Sequence, residues 1–234
     1  MFPIGDDNSD RTITPIVNYA FIGINVLVFL LLQQLGFNEA FDYAYSLVPK
    51  EITTGVDLSG TQIIQVGNET ARINHYATPL PVYFNFLSSM FMHGSIMHIL
   101  GNMMFLWVFG DNLENLLGHI RYVAFYIFCG IAAAVAQIVM GPDSIIPMLG
   151  ASGAISGVLG GYLLLFPQRR VRAIIFNFLT EVPAFVALGL WIVYQIVIGY
   201  LTPSGTGGVA YAAHIGGFIA GLVTIKLFAL GRRV

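Results

Sequence analysis

Charge is scarce in this sequence. Asp, Glu, Lys and Arg together make up 9% of the residues, against about 25% in ordinary soluble domains. So few charges cannot cover a water-facing surface. With 56% hydrophobic residues and a mean hydropathy of +0.77, lipid is the expected main solvent. Neither sign of charge dominates, and a formal net charge of −2 excludes the basic footprint of a nucleic-acid binder. Cysteine occurs once, at Cys129 inside an apolar run, which excludes an internal disulfide and a cysteine-based metal site. The start, MFPIGDDNSDRT, is acidic and polar. It has no basic region ahead of an apolar run and does not read as a cleavable signal peptide. No long-period repeat or low-complexity tract stands out.

What is present is a succession of apolar runs. A spanning helix needs about 20 mostly apolar residues. Runs of this kind are read at 16–35, 95–113, 122–140, 152–166, 183–201 and 208–230. The sequence therefore predicts an all-α, six-span membrane bundle forming one domain over 1–234. Between the first two runs lies a long external loop, 36–94. Its polar part, 36 to about 80, is too long for a simple connection and is read as partly structured. The apolar stretch 171–180 is short and is read as interfacial or packed on the bundle. Six spans put both termini on one side, together with Arg11, Arg121, Arg169, Arg170, Arg172, Lys226, Arg232 and Arg233. Lys50 and Arg72 fall on the other side. That asymmetry predicts cytoplasmic termini.

Polar groups inside apolar runs are costly and mark functional sites by default. The second run carries His98 and Asn102 in HGSIMHILGN, four apart and so on one helix face. The last carries His214 in AYAAHIGGFIAG. The fourth opens with Ser152 and has Ser156 one turn on. Counted from the external side, Asn102 and His214 each lie roughly 10 Å deep at 1.5 Å per residue. Ser152 reaches a similar level if the preceding loop dips into the bundle. Gly153, Gly157 and Gly161 recur every four residues, and His214, Gly217 and Gly221 share a face. Small residues at this spacing let helices approach closely, although most such patterns serve packing alone. Close approach would set His214 beside Ser152 as the base a serine nucleophile needs. No Asp or Glu falls at this depth, so a Ser–His dyad is expected, not a triad. His98, Asn102 and the Ser152 N–H would be the donors for an oxyanion. His75 and His119 read as solvated, and His93 as structural.

At these residues the sequence resembles the rhomboid family of intramembrane serine proteases, in its six-span bacterial-type form. HGSIMHILGN, GASG at 150–153 and AHIGGFIAG at 213–221 carry the resemblance, which covers about residues 15–230. It implies Ser152 as nucleophile, His214 as general base, and His98, Asn102 and the Ser152 N–H at the oxyanion. Gly150 would shape the loop beside the nucleophile. It implies a helical bundle with a cavity open to the outside, a long first loop partly embedded in the membrane, a gating fifth helix, transmembrane protein substrates, and neither metal nor cofactor. Two positions depart from the family. Phe84-Asn85 stands where many members carry Trp-Arg, which bears on how the loop is anchored. Ser156 stands where some bacterial members carry an aromatic beneath the catalytic His; it either hydrogen-bonds His214 or merely packs. Two rivals remain: a pseudoprotease that binds membrane proteins without cutting, and a small transporter or channel lined by the intramembrane His and Asn. The short polar ends argue against an attached regulatory domain. No transit-type leader is visible, so a prokaryotic plasma membrane is expected.

Overall fold

The computed structural model describes residues 2–66, 69–175, 178–202 and 209–232. Gly208, where the last run was expected to begin, and Arg233 lie outside them. The chain opens with strand β1 (Phe2–Asp6). Helix α1 (Ile16–Leu27) follows and widens into one π-helical turn over Val28–Leu32. Its end is sharp because Gln34, Leu35 and Gly36 all adopt positive φ, which a helix cannot continue through. Helix α2 (Glu39–Tyr45) starts at Asn38, whose side chain accepts the Phe41 N–H. Helix α3 (Pro49–Thr54) begins on proline and ends at Gly55 in the left-handed region. Strands β2 (Gly60–Val66) and β3 (Glu69–His75) form an antiparallel hairpin. Helix α4 (Asn85–Ser88) lies between two 3-10 turns, Val82–Phe84 and Ser89–Phe91.

Four helices build the core: α5 (Ile96–Leu117), α6 (His119–Met140), α7 (Ser152–Leu165) and α9 (Tyr211–Phe228). The Ser95 side chain caps α5 by accepting the His98 N–H. Helix α7 is central, and every residue from Gly153 to Tyr162 is buried. Its sequence, SGAISGVLGG, places glycines against two neighbours and lets them press in. Leu106, Phe109, Leu113, Tyr122, Phe125 and Tyr126 pack around it. Between α7 and α9 come strands β4 (Arg170–Ile175) and β5 (Phe178–Pro183) and helix α8 (Ala184–Leu201). Helix α8 is peripheral: only Ala184, Ala187, Leu188 and Gln195 are buried.

One expectation is corrected here. The all-α, multi-span bundle stands, with two small antiparallel sheets, β1-β4-β5 and β2-β3, at its periphery. Of the stretch 171–180, expected at the interface or packed on the bundle, the described residues 171–175 and 178–180 form part of the first. Along β4 buried Val171 and Ala173 alternate with exposed Arg172 and Ile174, the period of a half-buried strand. The six-span form is overturned. Among the described residues three helices, α6, α8 and α9, are long and apolar enough to cross a membrane. A fourth is reached only if α5 and segment 82–91, bent by 78° from each other, count as one span. Apolar composition does not by itself make a helix of span length. The helix α7 has 14 residues, about 21 Å at 1.5 Å each, against a hydrocarbon layer of about 30 Å. Helix α1 loses its regular ladder after Leu27.

The two ends of the bundle are sorted by side-chain ties. At one end Arg11 pairs with Asp111, the Glu114 carboxylate accepts the Val17 and Asn18 N–H groups (2.9 and 2.7 Å), and Arg121 donates to the Leu230 carbonyl (2.7 Å). At the other, Leu47 and Met148 exchange backbone hydrogen bonds, and the Lys50 N–H reaches the Ser144 carbonyl (3.0 Å). Asn85 is fully buried there and donates to the Ser46 carbonyl (2.9 Å). At Phe84-Asn85 a buried amide thus ties the long loop down.

Candidate active site

Ser152 is the first residue of α7. The chain before it is fixed by a hydrogen bond from the Gly150 N–H to the Ser89 carbonyl (2.8 Å). His214 sits in the first turn of α9. Glycine is what brings these helices together. A Cβ on Gly217 would collide with the Gly153 carbonyl, one on Gly221 with the Gly157 backbone, and one on Gly160 with the Phe218 carbonyl. Gly153 and Gly157 themselves face Ala133 and Cys129 of α6, and Gly161 faces Phe125 and Ile225. The α7 glycines therefore admit α6 as well as α9.

At this contact Ser152 Oγ lies 2.8 Å from His214 Nε2. The other ring nitrogen, Nδ1, is 2.8 Å from Gln195 Oε1 of α8. With the amide oxygen as acceptor, Nδ1 carries the proton and Nε2 is left to accept from the Ser152 hydroxyl. Trp191, one turn before Gln195, brings its ring to 6.0 Å from the His214 ring. Ser156 does not reach His214: its hydroxyl donates to the Ser152 carbonyl (2.6 Å), the usual habit of a helical serine. The aromatic neighbour of the histidine thus comes from α8, not from α7.

His98 flanks the serine. The direction a Gly150 side chain would take points between the His98 ring (Nε2 at 3.0 Å) and Ser152 Oγ (3.5 Å). Gly150 has φ +135°, and only glycine leaves that gap open. Asn102 is drawn elsewhere. Its amide nitrogen bonds His93 Nε2 (2.9 Å), and His93 lies edge-on to His98 with ring centres 5.1 Å apart. His93 is fully buried beneath the site. Its backbone N–H and carbonyl are both bound by the Gln33 side chain (2.8 and 2.9 Å), which pins the entry to α5 onto the end of α1. Ser152, His98 and His214 are each partly exposed. Among the described residues no three His, Cys, Asp or Glu side chains converge to hold a metal ion.

Three residues of this neighbourhood were not singled out in the sequence: Gln195, Gln33, and Gln137, whose Oε1 accepts the Ala213 N–H beside His214 (3.2 Å). A signal existed. Each is an amide within or just after an apolar run, the kind of costly group that flagged His98 and Asn102.

The fold and site define a bundle of apolar helices, consistent with membrane association, that holds a hydrogen-bonded Ser–His pair. The chain belongs to the rhomboid family: the Rhomboid domain matches residues 81–230, more than half of it. It is 28% identical to "Rhomboid protein 1, mitochondrial" of Saccharomyces cerevisiae over 217 residues, 88% of this chain and 51% of that protein. It is 26% identical to "Rhomboid protease GluP" of Bacillus subtilis over 216 residues, 92% and 35% respectively. With the "Presenilin-associated rhomboid-like protein, mitochondrial" of Mus musculus it shares 34% identity over 143 residues, 58% and 36%. The chain spans about half or less of the length of these relatives.

Proposed function

We propose that the protein is an intramembrane serine endopeptidase that cleaves transmembrane proteins within or near their membrane segment. The observation that carries this reading is the 2.8 Å contact between Ser152 Oγ and His214 Nε2, within the reach required of a nucleophile and its base. His214 removes the hydroxyl proton as Ser152 attacks the scissile carbonyl. The negative charge that develops is met by the Ser152 backbone N–H at the start of α7, by His98, and by the second N–H of Asn102, which His93 leaves free. A donor of this kind contributes about 3 kcal/mol to the transition state. His214 then passes its proton to the leaving amine, and water hydrolyses the acyl-enzyme. A helical peptide bond has its carbonyl already bonded, so substrates must unwind locally, and helix-weakening residues near the cleavage point are favoured.

We place the enzyme in a cell membrane, acting as one membrane domain. The bundle end that carries Arg11, Arg121, Arg169, Arg170 and Arg232 is assigned to the cytoplasm. No metal or organic cofactor enters the reaction as written. The test is a serine-directed phosphonate probe together with cleavage of a model transmembrane substrate in detergent or liposomes. Wild type is expected to label and cut, while Ser152→Ala and His214→Ala do neither. Equal labelling of Ser152→Ala, or undiminished cleavage by His214→Ala, would reject the proposal.

A further inference from the structure

Helix α8 presents two residues, Trp191 and Gln195, one turn apart on the side facing His214. Gln195 is the only buried residue in the second half of a helix whose other residues there are partly or fully exposed. A buried amide in such a helix is costly unless its bonding capacity is used. Its oxygen is used, by His214 Nδ1 at 2.8 Å. The geometry points to Gln195 as a positioning residue that sets the tautomer and ring orientation of His214, so that the site works as Ser152–His214–Gln195. This inference rests on the protease reading given above.

The chemistry follows from the acceptor. Neutral imidazole carries one proton, and a base facing Ser152 needs it on Nδ1. Gln195 Oε1 rewards that tautomer and gives the ring a fixed anchor. It remains a partner for the N–H when the ring becomes imidazolium, but as a neutral amide it stabilises that cation less than a carboxylate would. Without the acceptor, the proton distributes between both nitrogens and the ring can turn. Gln137 and Trp191 brace the first turn of α9 and one ring face. Among the described residues, neither accepts a hydrogen bond from the ring. His98, on α5, is the titratable neighbour of the pair from the other side.

The test compares wild type, Gln195→Leu, Gln195→Glu and Ser152→Ala in detergent, following substrate cleavage across pH and thermal melting. Leu keeps the bulk and removes the acceptor. A fall in kcat of about 10- to 100-fold with KM little changed is expected, below the roughly 10⁴-fold of a fully wrong tautomer in serine proteases. Glu restores an acceptor, so its plateau activity should return to within several-fold of wild type. Its carboxylate favours the imidazolium, so the acid limb of its profile should move to higher pH. A packing role would move neither the limb nor KM against kcat. Should Gln195→Leu melt early, the limb of Gln195→Glu decides alone. Wild-type kcat in Gln195→Leu, or an unmoved limb in Gln195→Glu, would overturn the assignment while Ser152→Ala stays inactive. Cleavage by Ser152→Ala at the wild-type rate would instead remove the protease reading itself.

Discussion

Ser152 and His214 are 62 positions apart in the chain and 2.8 Å apart in the fold, and small neighbours hold that distance. Gly150 is the tightest case. A methyl there would meet the His98 ring at 2.9–3.0 Å on a backbone at φ +135°. Gly150→Ala is expected to lose about 1–3 kcal/mol through strain and most of its probe labelling, as read by melting and labelling of the same preparation. Ser156 offers the contrast. Its hydroxyl serves the Ser152 carbonyl and does not touch His214. Ser156→Ala should keep kcat within a few-fold of wild type, and a loss approaching that of His214→Ala would contradict the role given by this contact. Asn102 shows how partner choice shapes a residue: a group expected at the oxyanion spends one donor on His93.

At the scale of the element, the α7–α9 contact controls the site. Gly221 lies against the Gly157 backbone, with no space for a side chain. Gly221→Val must push α9 away from α7 and carry His214 off Ser152. Overpacking of this kind costs about 1–3 kcal/mol, so the variant should melt earlier and label poorly. Gly189 of α8 is the control, since a Cβ there meets nothing within 4 Å. Gly189→Ala should label like wild type and melt no lower, because alanine favours a helix by about 1 kcal/mol over glycine. Equal labelling by both variants would show that the glycine face does not set the Ser–His distance.

For the whole molecule, the arginine-rich end is closed by a buried acid. Asp6 of β1 accepts hydrogen bonds at Oδ2 from Tyr162 of α7 (2.5 Å) and Asn112 of α5 (2.7 Å). Burial pushes its carboxyl up to about 7, against the lowering effect of the Tyr162 bond and the nearby arginines. An acid with a raised folded-state pKa binds its proton more tightly in the native state than in the unfolded one. Its stabilising effect is therefore complete below about pH 4 and is lost as pH rises toward 7. The melting temperature of wild type should fall across that window relative to Asp6→Asn, which keeps an acceptor for Tyr162 but cannot ionise. Parallel curves for the two proteins would exclude Asp6 as the source.

Some features were open to a reading along the chain, because hydropathy and residue cost are sums over neighbours in sequence. The scarcity of charge, the apolar runs and the costly Ser, His and Asn within them are local facts. The motifs that carry the family resemblance are local too, and family membership stands. Helix length was less legible: a left-handed turn ends the first helix within an apolar run, and α7 fills a run that is itself too short to span. The β1-β4-β5 sheet was hidden because β1 and β4 are far apart in sequence and their strand periods are only a few residues long. Tertiary structure alone decided which partner the polar groups of the site met: Gln195 for His214 and His93 for Asn102. A sequence can show that a buried donor or acceptor must be satisfied. Which group satisfies it depends on distances of about 3 Å between helices, and those are settled only when the helices pack.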